Sequence, residues 1–366
     1  MSLALGLRLR LALAPPRYLA PPLVGIDVSA SGVKGVRLEE RPFGLVLGAY
    51  AAEYLSPGTF ADGEFADPAP IAAALKRVAS TIGVASANAA LPEAKSYLFE
   101  TTAEGTTKDA WRTAVEQKLG ELVPLPPAEA AFDVVPVGIA GQEVRLVGMS
   151  FARRVVEGTL AVYDGAGISV RSFEGEIFAM ARALLLEGDP STTLIIDVGK
   201  TTTKLAIVED RVPRFATTIG IGGHAFTLAI QKHFGVTEQE ARRVKVERGI
   251  VAAAGNEDYM AAMLSTVSAI RDEIATHLEY WQNRETKRGG HARVSKAVLA
   301  GGNATVRGLP EYLEGALAIP VATGDVFTNL ASREYWIPEP DYAESLAYAT
   351  AIGLALRDYK PRPHVS

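Results

Sequence analysis

Residues 193–208 read "TLIIDVGKTTTKLAIV", and the centre of that stretch, "GKTTT", looks like the phosphate-binding end of a Walker A loop. Such a loop needs a glycine at position 194, so that backbone N–H groups can curl around phosphates. Position 194 is Leu, inside the apolar run "TLII", and the residues before Gly199 therefore read as strand where the motif requires loop. The Walker A reading fails on spacing, which leaves a Gly, a Lys and three Thr to be explained directly after a strand that ends in Asp197.

The same pattern stands near the N-terminus as "LVGIDVSASGVKGVRL", residues 23–38. In each copy an apolar strand ends in Asp-Val, a turn of small or hydroxylated residues follows, and a Lys opens a second strand. The aspartates are Asp27 and Asp197, and the lysines are Lys34 and Lys204. Two strands joined by a short Gly/Ser/Thr turn predict a hairpin. Turn amides and Ser/Thr hydroxyls form a concave donor surface for phosphate, and a carboxylate at the strand end suits a hydrated Mg²⁺ between phosphate oxygens. One such hairpin alone reads as an ordinary turn with a solvated Asp. Two copies predict duplicated lobes facing one nucleotide.

At 366 residues, the chain is long for a single core, so two or more lobes are expected. Hydrophobic content of 48% and charged content of 22% are those of an ordinary globular protein, and a net charge of −5 provides no field attractive to nucleic acid. The absence of cysteine excludes disulfides and thiolate metal sites, and five scattered His show no ligand spacing. The leader "MSLALGLRLRLALAPPRYLAPP" carries Arg8, Arg10 and Arg17 within and after its apolar part, unlike a signal peptide. It reads either as a disordered leader or as an Arg-assisted contact with an anionic membrane surface. No segment reaches the roughly 18 apolar residues of a membrane span.

Between the hairpins, "GLVLGAYAAEYL" (44–55) continues the first sheet, "DPAPIAAALKRVAS" (67–80) reads as a helix and "VASANAALP" (84–92) as a buried strand. Strand, helix, strand, strand and helix then follow over about 95–172, a compact α+β insert. The second lobe starts at Ser191. A glycine-rich turn opens a helix at about 223, Thr237 and Glu240 stand at capping-box spacing, and 261–288 reads as a long helix with a core stripe of Leu264, Val267, Ile270, Ile274, Leu278 and Trp281. "KAVLAGGNATVRGLPEYL" (296–313) reads as strand, glycine turn and helix. There Gly301 and Gly302 let backbone approach a flat ligand, with the helix N-terminus facing phosphate. A terminal helix closes the chain.

Two Asp hairpins followed by this glycine turn resemble the actin-like ATPase superfamily, whose signature is phosphate 1, phosphate 2, adenosine. Within it the chain resembles the PilM family of type IV pilus assembly proteins, relatives of the cell-division protein FtsA. The stretches that carry the resemblance are "LVGIDVSASGVKGVRLEE", "VEQKLGELVPLPPAEAAFDVVPVG", "RRVVEGTLAVYDGAGISVRSFEGEIFAMARALL" and "KAVLAGGNATVRGLPEYLEGALAIPV". The resemblance implies an α/β, actin-like (ribonuclease H-like) duplicated two-lobe fold with an inserted 1C subdomain. The implied parts are a flexible leader 1–20, subdomain 1A at 21–94 with a closing helix at 341–360, 1C at 95–172, an interlobe helix of 1A at 173–190, 2A from 191–222 and 291–340, and 2B at 223–290.

The resemblance also implies ATP and Mg²⁺ as ligands. Asp27 and Asp197 would face the Mg²⁺, through water, and the phosphates. Ser29, Ser31, Gly32 and Lys34 would form the first loop, and Gly199, Lys200, Thr201, Thr202 and Thr203 the second. Gly301, Gly302 and Asn303 would line the adenosine side, Lys245 would reach the ribose, and Glu176 matches the water-positioning carboxylate of hydrolysing relatives. Ser29 stands where the family has Gly, Arg242 where it has a carboxylate, and Lys200 departs from the usual second loop. The implied role is a nucleotide-responsive binding module, at most a slow ATPase, at the cytoplasmic face of the inner membrane. Its implied partners are the N-terminal segment of a PilN-like protein and pilus motor or platform proteins; the sequence leaves open whether the chain forms a homodimer. An FtsA-like filament former is the alternative, though the Pro-rich tail "YKPRPHVS" is not an amphipathic membrane helix. A small-molecule kinase would need a catalytic Asp or His and substrate loops that the sequence does not display.

Overall fold

Two apolar hairpins nucleate two sheets in the computed structural model, which describes residues 21–56, 58–61, 63–251, 253–283 and 292–359. β1 (Leu23–Ser29) pairs antiparallel with β2 (Gly32–Arg41), and β2 with β3 (Gly44–Tyr54). A short pair, β4 (Phe60–Ala61) and β5 (Glu64–Phe65), precedes α1 (Pro68–Ile82). Asp67 caps α1, accepting from the Ala69 N–H at 3.2 Å, and Gly83 ends it at φ 70°. β6 (Ser86–Leu91) then runs parallel to β1 on its other side.

The insert comprises β7 (Ser96–Ala103), α2 (Lys108–Leu122), β8 (Ala130–Ala140) and β9 (Glu143–Ala152). Its sheet runs in the order β7-β9-β8, and Phe99, Val115, Leu119, Val134 and Leu146 form a core of its own. α3 (Arg153–Gly165) and β10 (Ser169–Gly175) do not belong to it, contrary to the expected boundary at 172. α3 buries Val162 and Tyr163 in the core of the first sheet, where the Tyr163 hydroxyl donates to the Ile26 carbonyl at 3.1 Å. β10 pairs parallel with β6, so the insert ends at Ala152 and the chain has already returned to the first lobe.

α4 (Glu176–Leu184) leads into the second lobe: β11 (Thr193–Val198), β12 (Thr203–Glu209), β13 (Val212–Ile219), α5 (Gly223–Phe234), α6 (Glu238–Arg248) and α7 (Glu257–Asn283). β14 (Lys296–Ala300), α8 (Leu309–Leu317) and β15 (Val321–Thr323) complete it. The closing segment is broken rather than one helix: α9 (Tyr342–Ser345), a 3₁₀ turn at Leu346–Tyr348, and α10 (Ala349–Leu356). α10 is buried along its whole length against α4 and β1, so closely that a Cβ on Gly353 would overlap the Ala179 carbonyl. The expected leader 1–20 and residues 284–288 of the expected long helix lie outside the described residues.

The sheets are duplicates. Their orders are β10-β6-β1-β2-β3 and β13-β12-β11-β14-β15, so β1 and β11 are both central. Each is flanked by an antiparallel hairpin partner on one side and a parallel strand on the other. Among the described residues, no helix is long and apolar enough to cross a membrane.

The α7 stripe differs from its expected register at one position. Tyr259, Met263, Val267, Ile270, Ile274, Leu278 and Trp281 are buried, whereas Leu264 is 48% exposed. Positions 263 and 264 both fall within a turn of 267, and the cumulative drift of 3.6-residue periodicity selects Met263. Met263→Ala should therefore cost about 2–5 kcal/mol and Leu264→Ala no more than about 0.5 kcal/mol, as read by chemical denaturation; equal losses would contradict this register.

Candidate functional site

The hairpin registers place Asp27 directly across from Lys34 and Asp197 directly across from Lys204. Because β1 and β11 are central, both carboxylates end up buried, 5% and 8% exposed, facing one cleft of about 840 Å³. That volume lies within the roughly 300–1,000 Å³ of small-molecule sites. Of the expected site residues, Asp27, Ser29, Ser31, Lys34, Asp197, Gly199, Lys200, Thr201 and Thr202 line it, as do Glu176, Lys245, Gly301, Gly302 and Asn303. Gly32 and Thr203 do not, and their roles are structural. Gly32 has φ 145°, and a Cβ there would overlap the Glu53 carbonyl; Thr203 is fully buried and its hydroxyl donates to the Ile221 carbonyl at 2.7 Å.

The second turn is fixed by three separate segments. Gly199 N–H donates to the Thr202 carbonyl at 2.9 Å, and Asn303 Nδ2 donates to the Gly199 carbonyl at 2.9 Å. The Gly223 and His224 N–H groups donate to the Gly199 and Lys200 carbonyls at 2.9 and 2.8 Å. Lys245 reaches over from α6, donating to Asn303 Oδ1 at 2.7 Å and to the Gly223 carbonyl at 3.3 Å. Burial, and next the nearby Arg242, push the Lys245 pKa down to about 8. Arg242 itself, exposed on α6, pairs with Glu238 at 2.6 Å.

Gly301 sits at φ 86°, and a Cβ there would overlap the Asp197 carboxylate, so this glycine lets its turn close onto the strand end. The expected helix start beside it is not found: α8 begins only at Leu309, after the αL residue Gly308. The helix terminus that meets the second hairpin turn is that of α5, and its first N–H groups are already bonded to the turn's own carbonyls.

The centre of the cleft is a charge network spanning both lobes. Lys34 donates to Ser31 Oγ at 2.6 Å, and Ser31 Oγ lies 2.9 Å from Ser29 Oγ, which commits Lys34 to its own turn. Lys204 instead crosses to the first lobe: it donates to Glu176 Oε1 at 2.7 Å and lies 3.4 Å from Asp197 Oδ2. Burial opposes its charge, but Glu176, Asp197 and Asp27 outweigh that cost and hold it cationic, its pKa above the ordinary lysine value. Glu176 Oε2 accepts the Glu93 N–H at 2.8 Å. Asp27 Oδ1 is buried and has no partner among the described residues; burial first, then the Glu176 charge, pushes the Asp27 pKa up to about 6.

The family model described as "Type IV pilus assembly protein PilM" matches residues 25–359. The chain belongs to that family. Among solved structures, it is similar to the "PilM-PilN type IV pilus biogenesis complex", with a TM-score of 0.75 and 23% identity, covering 94% of this chain and 100% of that one. It is also similar to the ethanolamine utilization protein EutJ from Carboxydothermus hydrogenoformans (TM-score 0.55, 16% identity, 96% and 98% covered) and to MreB 5 of Spiroplasma citri bound to AMPPNP (0.52, 16%, 93% and 95%). At these identities the structural likenesses establish the fold, which is actin-like. The cell division protein FtsA of Rhizobium meliloti (strain 1021) is 26% identical over 213 residues, 52% of this chain and 46% of that protein, so the match spans less than half of that relative.

Sequence reasoning missed Glu93 and placed Lys204 only as the counterpart of Lys34. The repeat contained the signal for Lys204. Glu93 had none, because "LPEAKS" gives no sign that its Glu turns inward. Glu93 is 4% exposed; it accepts from Ser96 Oγ at 2.6 Å and from the Ile177 N–H at 3.5 Å. Burial, the dominant influence, pushes its pKa from 4.5 up to about 7. A raised folded-state pKa contributes stability that is fully present below about pH 4.5 and is lost as pH rises through about 7. Glu93→Gln should therefore flatten the decline of melting temperature across that interval; a parallel decline in wild type and variant would show that Glu93 does not titrate there.

Proposed function

We propose that this chain is an ATP- and Mg²⁺-binding component of the type IV pilus assembly machinery. It works at the cytoplasmic face of the inner membrane and captures the N-terminal segment of a PilN-type partner beside the insert. The observation that carries the nucleotide half is the convergence of two buried Asp–Lys hairpins on one cleft.

The donor set fits the group. Mg²⁺ keeps most of its water and is held by one or two carboxylates together with substrate phosphates. Asp27, with a buried oxygen that no group among the described residues satisfies, and Asp197 on the opposite strand end would hold it through water. Among the described residues there is no cluster of three or more His, Cys, Asp or Glu, which suits a cation that arrives with its phosphates. Lys34, Ser29 and Ser31 would contact phosphate from one lobe, and Thr201, Thr202 and the backbone of the Gly199–Lys200 turn from the other. Gly301, Gly302, Asn303 and Lys245 would form the nucleoside side. When bound, the Mg²⁺·ATP unit supplies a charge bridge between lobes, and a partner that prefers the closed form is thereby coupled to the nucleotide.

Both oxygens of Glu176 are engaged, one by Lys204 and one by the Glu93 N–H, which supports a binding module with slow turnover at most. The PilN half rests on family membership and on the PilM–PilN complex to which the chain is similar.

Titration calorimetry tests the reading. Asp27→Ala and Asp197→Ala should each remove Mg²⁺-dependent ATP affinity, a loss of about tenfold or more, equivalent to about 1.4 kcal/mol, while Lys200→Ala keeps it. Loss on Lys200→Ala alone would overturn the assignment. Failure of a PilN-type N-terminal peptide to bind with or without ATP would remove the partner half.

A further inference from the structure

The turn between β6 and β7 belongs to two places at once. Pro92, Glu93 and Ala94 line the cleft, and Ser96 begins the first strand of the insert. Glu93 Oε1 accepts from Ser96 Oγ at 2.6 Å, Oε2 accepts from the Ile177 N–H at 3.5 Å, and the Glu93 N–H donates to Glu176 Oε2 at 2.8 Å. Glu176 Oε1 takes Lys204 at 2.7 Å, and Lys204 lies 3.4 Å from Asp197. An unbroken line of buried or half-buried polar contacts thus runs from the second hairpin, across the cleft, to the first residue of the insert.

A second attachment lies on the other edge of the same strand system. Arg214 on β13 has a side chain 9% exposed and pairs with Glu100 of β7 at 3.1 Å and with Glu209 at 3.2 Å. β7 is therefore mounted on the first lobe by the chain at Ser96 and tied to the second lobe by Arg214. A change in the angle between the lobes must break one attachment or carry the insert with it.

We propose that Glu93 and Ser96 are positioning residues of a relay that couples occupancy of the cleft to partner capture by the insert. Phosphate oxygens entering between the hairpins compete with Glu176 for the Lys204 ammonium, since both are anionic acceptors for one cation. Glu176 then shifts its grip on the Glu93 N–H, and the turn that carries β7 moves with it. The effect on the partner equals the difference in affinity between the two positions of the turn. This inference rests on the reading that the cleft takes ATP and the insert takes a PilN-type peptide.

The test titrates the full chain with a synthetic peptide of the N-terminal segment of a PilN-type partner, with and without ATP and Mg²⁺. ATP should change the wild-type affinity for the peptide by about fivefold or more. Ser96→Ala and Glu93→Gln should each bring that ratio to about one, and Ser96→Ala should leave the affinity for ATP measured alone unchanged. Ratios equal to wild type in both variants overturn the relay; where Glu93→Gln melts at the working temperature, Ser96→Ala alone decides. A wild type that binds ATP and peptide independently removes the relay and leaves the proposed function standing. A wild type that binds neither removes both.

Discussion

Burying an aspartate at the end of a central strand is costly unless a cation compensates it, and this chain sets a Lys against each one: Lys204 pairs with Asp197 at 3.4 Å, while Lys34 offsets the burial of Asp27 only in part. The ladder register supplies the compensation locally, since the residue directly across from each Asp is a Lys on the hairpin's return strand. That constraint requires a tight turn between the strands, which keeps the lysine in register. It also requires the strand to be central, so that neighbours on both sides exclude water. The flanking pattern of one antiparallel and one parallel strand, repeated in both sheets, is the architecture that satisfies these conditions. The cleft is where the two resulting charged strand ends face each other.

The two copies have diverged in how they use their lysine. Lys34 bonds within its own turn, and its pKa is lowered by burial even though Asp27 opposes that shift. Lys204 leaves its turn and holds Glu176 in the other lobe. The first lobe thus presents a hydroxyl-lined turn with a locally held cation, while the second contributes the cation that ties the lobes together. The difference between Lys34 and Lys204 gives the cleft two chemically distinct ends.

Much of this was legible in local pattern. The hairpins, their aspartates and lysines, the Thr237–Glu240 capping box and the glycine turn at Gly301 all depend on residues a few positions apart, and the sequence displays such spacings directly. The misread features depend on contacts distant in sequence or on backbone geometry that a short pattern does not display. The helix 153–165 has the pattern of an element belonging to its neighbours in the chain, yet Tyr163 packs under Ile26. The buried face of α7 is set by drift over several turns, which a local stripe through Leu264 cannot resolve. The start of α8 is delayed to Leu309 by a series of turns whose Gly308 adopts φ 79°, and composition alone reads the preceding "GGN" as the entry to the helix. Glu93 is held by Ser96 nearby but also by Ile177 and Glu176, contacts that exist only once β6 and β10 have paired.

The distinction between Lys200 and Lys204 follows from the same physics. A P-loop lysine acts as a point charge held against phosphate by a glycine-rich loop. Lys200 sits in a turn whose Gly199 and Lys200 carbonyls are taken by Asn303 and by the first N–H groups of α5, so the loop is braced from behind. It is half-buried and lies outside the strands, so no strand partner fixes it. Lys204 is on a strand, directly across from Asp197, with a side chain 15% exposed and two carboxylates from different lobes around it. A cation in that position is costly to remove and cannot be substituted by solvent, whereas a half-buried one on a turn can. The electrostatic centre of "DVGKTTTK" is therefore its two ends, Asp197 and Lys204, and the lysine that suggests a P-loop is the one on which the fold depends least.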